Sequence, residues 1–290
     1  MIDYSVFYQH LKKFPFLIFV LFSLSSFGFE PTKKLLNDSN YTAKPYDKFS
    51  VSFGGFFAAY HNGIKIGSDQ LGLGISIDLE NALGLDVSTW ATRGKVNYRF
   101  GKTNRHGLSF GFFSTVRNAL KKQSEEIIIG DLVIPIGAEV RTSFTYSIYR
   151  LKYNYSIFQD DRVSLGVSFG FFILPVKFKV EVDGKGSSVT NFVAPLPVLG
   201  VSTDFLITPK LYFRQSVEVL YLSFDGFVGS LIDLDLSIEY KPLPRFGFGL
   251  GFNDHNLNLT AKNGVYPGLD FYGNISSSFS GIYLFAKYSL

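Results

Sequence analysis

Val163-Ser164-Leu165-Gly166-Val167-Ser168-Phe169-Gly170-Phe171-Phe172-Ile173 is the stretch that decides the fold. Its odd positions are all apolar, and its even positions are Ser or Gly except for Phe172. A period of two is the mark of a strand with two unlike faces, and a helix, repeating every 3.6 residues, cannot sort residues this way. The pattern recurs on both sides. Ile232, Leu234, Leu236, Ile238 and Tyr240 alternate with Asp233, Asp235, Ser237 and Glu239. Tyr149, Leu151, Tyr153, Tyr155 and Ile157 alternate with Arg150, Lys152, Asn154 and Ser156, and Phe246 to Phe252 alternates with three glycines.

Alternation suits a soluble sandwich or barrel as well as a membrane barrel, and two features separate them. The segments run about 10 residues or more, the length of a tilted membrane strand, where soluble strands average about 5 to 6. Aromatic residues also gather beside the tight turns: Tyr98 and Phe100 before 101–105, Tyr153 and Tyr155 before 158–162, Phe213 after 208–210, and Tyr240 and Phe246 around 241–245. That is the girdle of a membrane interface. The expected fold is therefore all-β, a transmembrane antiparallel up-and-down barrel of about ten strands.

Barrels of this kind have short periplasmic turns and long outer loops. On that rule the strands fall near 49–60, 90–100, 106–116, 138–157, 162–182, 196–207, 211–224, 230–240, 245–257 and 280–290. The outer loops then lie at 61–89, 117–137, 183–195, 225–229 and 258–279, with both termini in the periplasm. Leu71–Leu79 and Phe271–Ser278 are candidates for two more strands, which would make twelve. Glu125–Ile129 and Leu132–Ile136 read as a hairpin extending the third and fourth strands above the bilayer.

The N-terminus supplies an address. His10, Lys12 and Lys13 precede an apolar run, Phe14 to Leu24, which ends in Ser25, Ser26, Phe27 and Gly28. This is the order of a secretory signal, with cleavage expected after Gly28, and the run is too short for a spanning helix of roughly 20 residues. Residues 1–28 are thus read as a signal peptide, 29–47 as a polar periplasmic segment with Pro31 and Pro45, and 48–290 as the barrel in the bacterial outer membrane.

Composition narrows the chemistry. The 290 residues are 46% hydrophobic and 18% charged, which excludes a disordered chain. The absence of Cys excludes disulfides, thiolate metal sites and a lipidated N-terminal Cys. A formal charge of +4 argues for no nucleic-acid partner. The glycines from Gly247 to Gly251 are no phosphate loop, because no Lys-Ser/Thr follows and no helix begins there. No metal spacing and no cofactor motif appears.

At the C-terminus Ile282, Leu284, Ala286, Tyr288 and Leu290 alternate to the last residue, and this ending resembles the closing-strand signal of outer-membrane barrels, with Leu290 where that signal prefers Phe. Arg105 through Ala261 resembles a group of uncharacterised Gram-negative outer-membrane β-barrel proteins. The resemblance rests on Glu125 to Asp131, Pro135 to Ala138, Ser147 to Tyr153, Ala194 to Pro197 and Gly247 to Gly251. It implies a small porin-like barrel inserted by the barrel-assembly machinery among outer-membrane lipid and lipopolysaccharide, and it carries no catalytic or ligand residue.

Few groups offer catalysis. His61, His106 and His255 lack the Ser two positions on that lipid-modifying barrels use. Asp254 and His255 invite comparison with outer-membrane proteases, but neighbours on a strand point to opposite faces and cannot share a proton. His255 then reads as a solvated residue near an outer strand end, with no acidic group opposite, and no enzyme activity is expected.

The lumen is the richer constellation. With the apolar faces toward lipid, Arg93, Lys95, Arg99, Arg150 and Lys152 line one wall, and Asp233, Asp235 and Glu239 line the opposing one. Opposed charge walls give a transverse field suited to a narrow pore or passive solute conduit. The alternative is a barrel plugged by its own salt bridges, acting structurally or through its outer loops, and a hydrolase is a remote third. Gly166, Gly170, Gly247, Gly249 and Gly251 are expected to leave space along the inner wall.

Overall fold

The computed structural model describes residues 43–66, 76–129, 132–183, 186–224, 226–261 and 273–290. The expected signal peptide, the segment up to residue 42 and residues 71–75 of one extra-strand candidate lie outside the described residues.

The elements are β1 (Phe49–Ile66), β2 (Ser76–Asp78), α1 (Leu79–Leu83), β3 (Ser88–Phe100), β4 (His106–Lys122), β5 (Ile127–Ile129) and β6 (Leu132–Ile134). There follow β7 (Glu139–Gln159), β8 (Val163–Val182), β9 (Gly186–Thr208), β10 (Leu211–Phe224), β11 (Phe227–Leu243), β12 (Phe246–Ala261) and β13 (Gly273–Ser289). Ten strands close an antiparallel ring in the order β1, β3, β4, β7, β8, β9, β10, β11, β12, β13, with β13 paired back to β1. The ring closes on itself with every strand paired on both sides in its lower half, as a membrane-spanning sheet requires. Phe49 N donates to Leu290 O over 3.2 Å, so both ends of the barrel chain meet at the rim that carries the short turns.

All ten expected strands are present and the twelve-strand alternative falls. Ser76–Asp78 is a short flap paired to Gly63–Lys65 that leads into α1, and residues 273–278 are the outer end of β13. The loop expected at 183–195 is mostly strand, because β8 and β9 stay paired as far as Val182 with Gly186. The expected hairpin forms as β5 and β6, but it is a separate two-stranded sheet and does not extend β4 and β7, which themselves continue to Lys122 and from Glu139.

The two halves of the barrel have opposite polarity. Toward the short turns, Val167, Phe169 and Phe171 of β8 point outward and Ser164, Gly166, Ser168 and Gly170 point inward. Phe53, Leu199, Leu250 and Leu284 continue the outward apolar band around the ring. A belt of this extent belongs against lipid, not water. Its lower edge is aromatic: Tyr98 stacks on Phe100, Phe100 on His106, and His106 Nδ1 lies 2.6 Å from the Tyr153 hydroxyl.

Further up, the pattern inverts. Phe172, Leu174, Val176, Phe178, Val180 and Val182 turn inward and are buried, while Lys177, Lys179 and Glu181 face out. The 23 residues of β9 exceed the 9–11 needed to span, and the surplus, at about 3.3 Å per residue and a tilt near 45°, carries the wall roughly 30 Å beyond the bilayer. There the barrel behaves as a soluble one, with an apolar core and a charged exterior.

Candidate functional site

The lumen is stacked in layers, which the strands set in place by presenting every second side chain inward. At the outer mouth sits α1. Asp78 caps it by accepting from Asn81 N over 2.9 Å, and its burial is outweighed by those amide bonds, which hold its carboxyl below the ordinary range. Gly84, at φ +77°, turns the chain out of the helix, so that Leu79, Leu83 and Leu85 drop into the apolar core. Glu80, also buried, accepts from Arg117 Nη1 at 2.6 Å and from the amide of Asn62 at 2.7 Å, so the charge that α1 carries into the mouth is matched.

Below α1 lies an aromatic plug. Phe279 is stacked between Phe113 at 4.8 Å and His255 at 4.7 Å between ring centroids, and Phe56 meets both Phe113 and Phe279 edge-on at 5.7 Å. Tyr146 and Phe172 complete the layer, and each of these side chains is buried.

Beneath the plug is an ionic layer. Arg93 reaches Asp235 at 2.7 Å, Arg150 reaches Asp233 at 2.9 Å, and Arg99 reaches Asp204 at 2.9 Å, while Lys152 pairs with Glu218. Arg214 bridges Asp204 at 3.0 Å and Glu239 at 3.1 Å. All eight charged residues singled out in the sequence line the lumen. The walls do not face each other across water, however: β3 and β7 meet β11 in direct ion pairs, because ten strands leave a lumen narrow enough for Arg to span. Asp204, Arg214, Glu218, Lys241 and Lys287 complete the network, and the signal that would find them is their parity with lumen positions on β9, β10, β11 and β13.

His255 departs most from its expected setting. It is fully buried, its Nδ1 donates to Asp233 Oδ2 at 2.7 Å, and its Nε2 lies 3.2 Å from the Tyr146 hydroxyl. The acidic group opposite it is Asp233, its register partner on β11. With Nδ1 donating to Asp233, Nε2 is placed to accept a hydrogen bond from the Tyr146 hydroxyl. Asp254 points the other way, as strand alternation requires.

The glycine space is also occupied. A side chain at Gly251 would meet the Tyr283 ring at 2.1 Å, and Tyr283 uses that opening to lie across β12 and donate to Asp235 Oδ1 at 2.7 Å. Gly249 accommodates Phe285 in the same way. A cavity of about 150 Å³ nevertheless persists below the ion pairs, toward the short turns.

The periplasmic mouth is narrowed by the segment entering β1. Asp47 accepts from Lys241 at 2.6 Å and Lys287 at 2.7 Å, and Tyr46 lies under the Arg99 guanidinium. Burial alone would raise the Asp47 pKa, but Lys287, Arg214 and Lys241 together hold it well below the usual carboxylate range.

A lipid-facing apolar belt, an aromatic girdle and a closed antiparallel ring of ten strands now stand together. This is the fold of a bacterial outer-membrane barrel. The outer membrane protease OmpT from Escherichia coli superimposes with a TM-score of 0.57 at 9% identity, over 87% of this chain and 99% of that one. At that identity the likeness is one of fold. Ail of Yersinia pestis, crystallised with a heparin analogue, matches at TM-score 0.37 and 14% identity over 84% of this chain and 99% of its own. The toluene transporter TodX of P. putida matches at TM-score 0.32 and 8% identity over 84% and 90%. No family model matches the chain, and no curated protein matches it.

Proposed function

We propose that this chain is a closed, non-conducting outer-membrane barrel that works as a platform, anchored by its lower half and presenting its rim to partners outside the cell. The inversion of polarity along the strands carries this reading. A pore needs a wetted path, and the layer of Phe56, Phe113, Tyr146, Phe172 and Phe279 is buried and packed ring against ring. A hydrolase centred on His255 would have to bring substrate and water to a ring with no exposed surface. A rigid, raised wall topped by α1 and the β5–β6 hairpin is instead suited to contact.

In this reading lipid and lipopolysaccharide surround the barrel, the barrel-assembly machinery inserts it after export, and no cofactor, nucleic acid or enzymatic reaction is involved. The test is to replace residues 123–138 with a short Gly-Ser turn and compare cells carrying either form at equal surface level. Loss of surface attachment or of detergent resistance with normal insertion is expected; cells indistinguishable in both assays would overturn the platform reading.

A further inference from the structure

Lys95 stands apart from the ionic layer. Among the described residues its ammonium makes no ion pair and no hydrogen bond, although it projects from β3 into the cavity of about 150 Å³ and is exposed to the lumen. Seven cationic and four anionic side chains line that cavity. Each of the four carboxylates is already engaged: Asp47 by Lys241 and Lys287, Asp204 by Arg99 and Arg214, Asp235 by Arg93, and Glu239 by Arg214 and Lys287. Lys152 is engaged by Glu218 just outside the lining, so the cavity still holds an excess of positive charge, at Lys95 and Arg105, that no carboxylate in an ion pair balances among the described residues.

Its shape agrees with its charge. The register neighbours of Lys95 are Ser52 on β1 and Gly111 on β4, both small, so the ammonium has room on either side. One step along the same face, Asn97 accepts from Ser109, which accepts in turn from Asn154, giving a polar wall beside it. The volume is several times the roughly 10–15 Å³ that a single buried water needs, enough for one small ion.

We propose that this cavity is a binding site for a small oxyanion, a carboxylate or phosphate, with the Lys95 ammonium as its principal charge and Arg93 and Arg99 flanking it on the same strand. The ion is a free one from the periplasmic side, because the cavity lies inside the barrel wall where no lipid chain reaches and the apolar plug separates it from the outer mouth.

The experiment is calorimetric titration of the refolded full chain in micelles with inorganic phosphate, for wild type, Lys95→Gln and Lys95→Arg. Saturable binding that weakens about tenfold or more in Lys95→Gln and survives in Lys95→Arg is expected, as for loss of one charge-assisted contact. No binding by wild type, or equal binding by Lys95→Gln, would overturn the site. Should Lys95→Gln fail to fold, the wild type alone decides: phosphate should slow reductive methylation of Lys95, read by mass spectrometry, and an unchanged rate refutes the proposal. Displacement of phosphate by phosphatidylglycerol added to the micelles would assign the site to lipid headgroups and overturn the free-ion form.

Discussion

Asp233 and His255 are register partners on β11 and β12, and the 2.7 Å bond between them joins the ionic layer to the aromatic plug, since the His255 ring that bonds Asp233 through its edge carries Phe279 on its face. Asp233 also holds Arg150 and Asn253. Asp233→Ala strands a buried cation and is expected to cost about 3–5 kcal/mol in a bilayer unfolding titration. A loss below about 1 kcal/mol would detach the two layers from each other.

The change of polarity along β8 gives opposite responses at two outward positions. Phe169→Arg puts a charge on the lipid face and is expected to cost about 2–4 kcal/mol near the midplane. Lys179→Leu, on the charged outer wall, should stay within about 0.5 kcal/mol. Equal penalties at the two sites, in the same unfolding assay, would contradict the boundary drawn between the halves.

Gly251→Ala tests the packing of Tyr283. The added methyl displaces the ring that reaches Asp235, and overpacking of this kind costs about 1–3 kcal/mol. Tyr283→Ala should remove most of that penalty in a double-mutant cycle, whereas additive losses would show that the glycine serves another purpose.

Asp47 makes stability depend on pH. Its carboxyl is depressed in the folded chain, so its contribution is complete above the ordinary value of 3.8 and is lost as pH falls through the lower folded value. Asp47→Asn is expected to cost about 3 kcal/mol at neutral pH, with the gap to wild type closing below about pH 4. A gap constant across that range would exclude Asp47 from the acid response.

The lower half of the barrel was legible from sequence because lipid on one side and a polar lumen on the other force an unbroken alternation, as in Val163 to Phe171. The upper half was not, because the alternation changes phase where Phe171, Phe172 and Ile173 are all apolar and both faces look alike. Only 196–207 of β9 was legible as strand; its outer part up to Pro195, read as loop, is strand as well, with the proline carried inside it. The Asp233–His255 pair was hidden by register. Leu243 faces Phe246 at the turn, but an irregularity between Tyr240 and Leu243 slips the pairing by one, and only that slip sets His255, not Asn256, opposite Asp233. The charged lumen residues followed from parity alone; their partners across the barrel needed the closed ring.

Single-channel recording of the refolded chain in a planar bilayer tests the central claim most directly. A closed barrel inserts, shown by protease protection of its lower half, and gives no discrete steps, in wild type and equally in Asp233→Asn. Stepwise, ion-selective currents from the wild type would contradict the account and return the charged lumen to the role of a conduit.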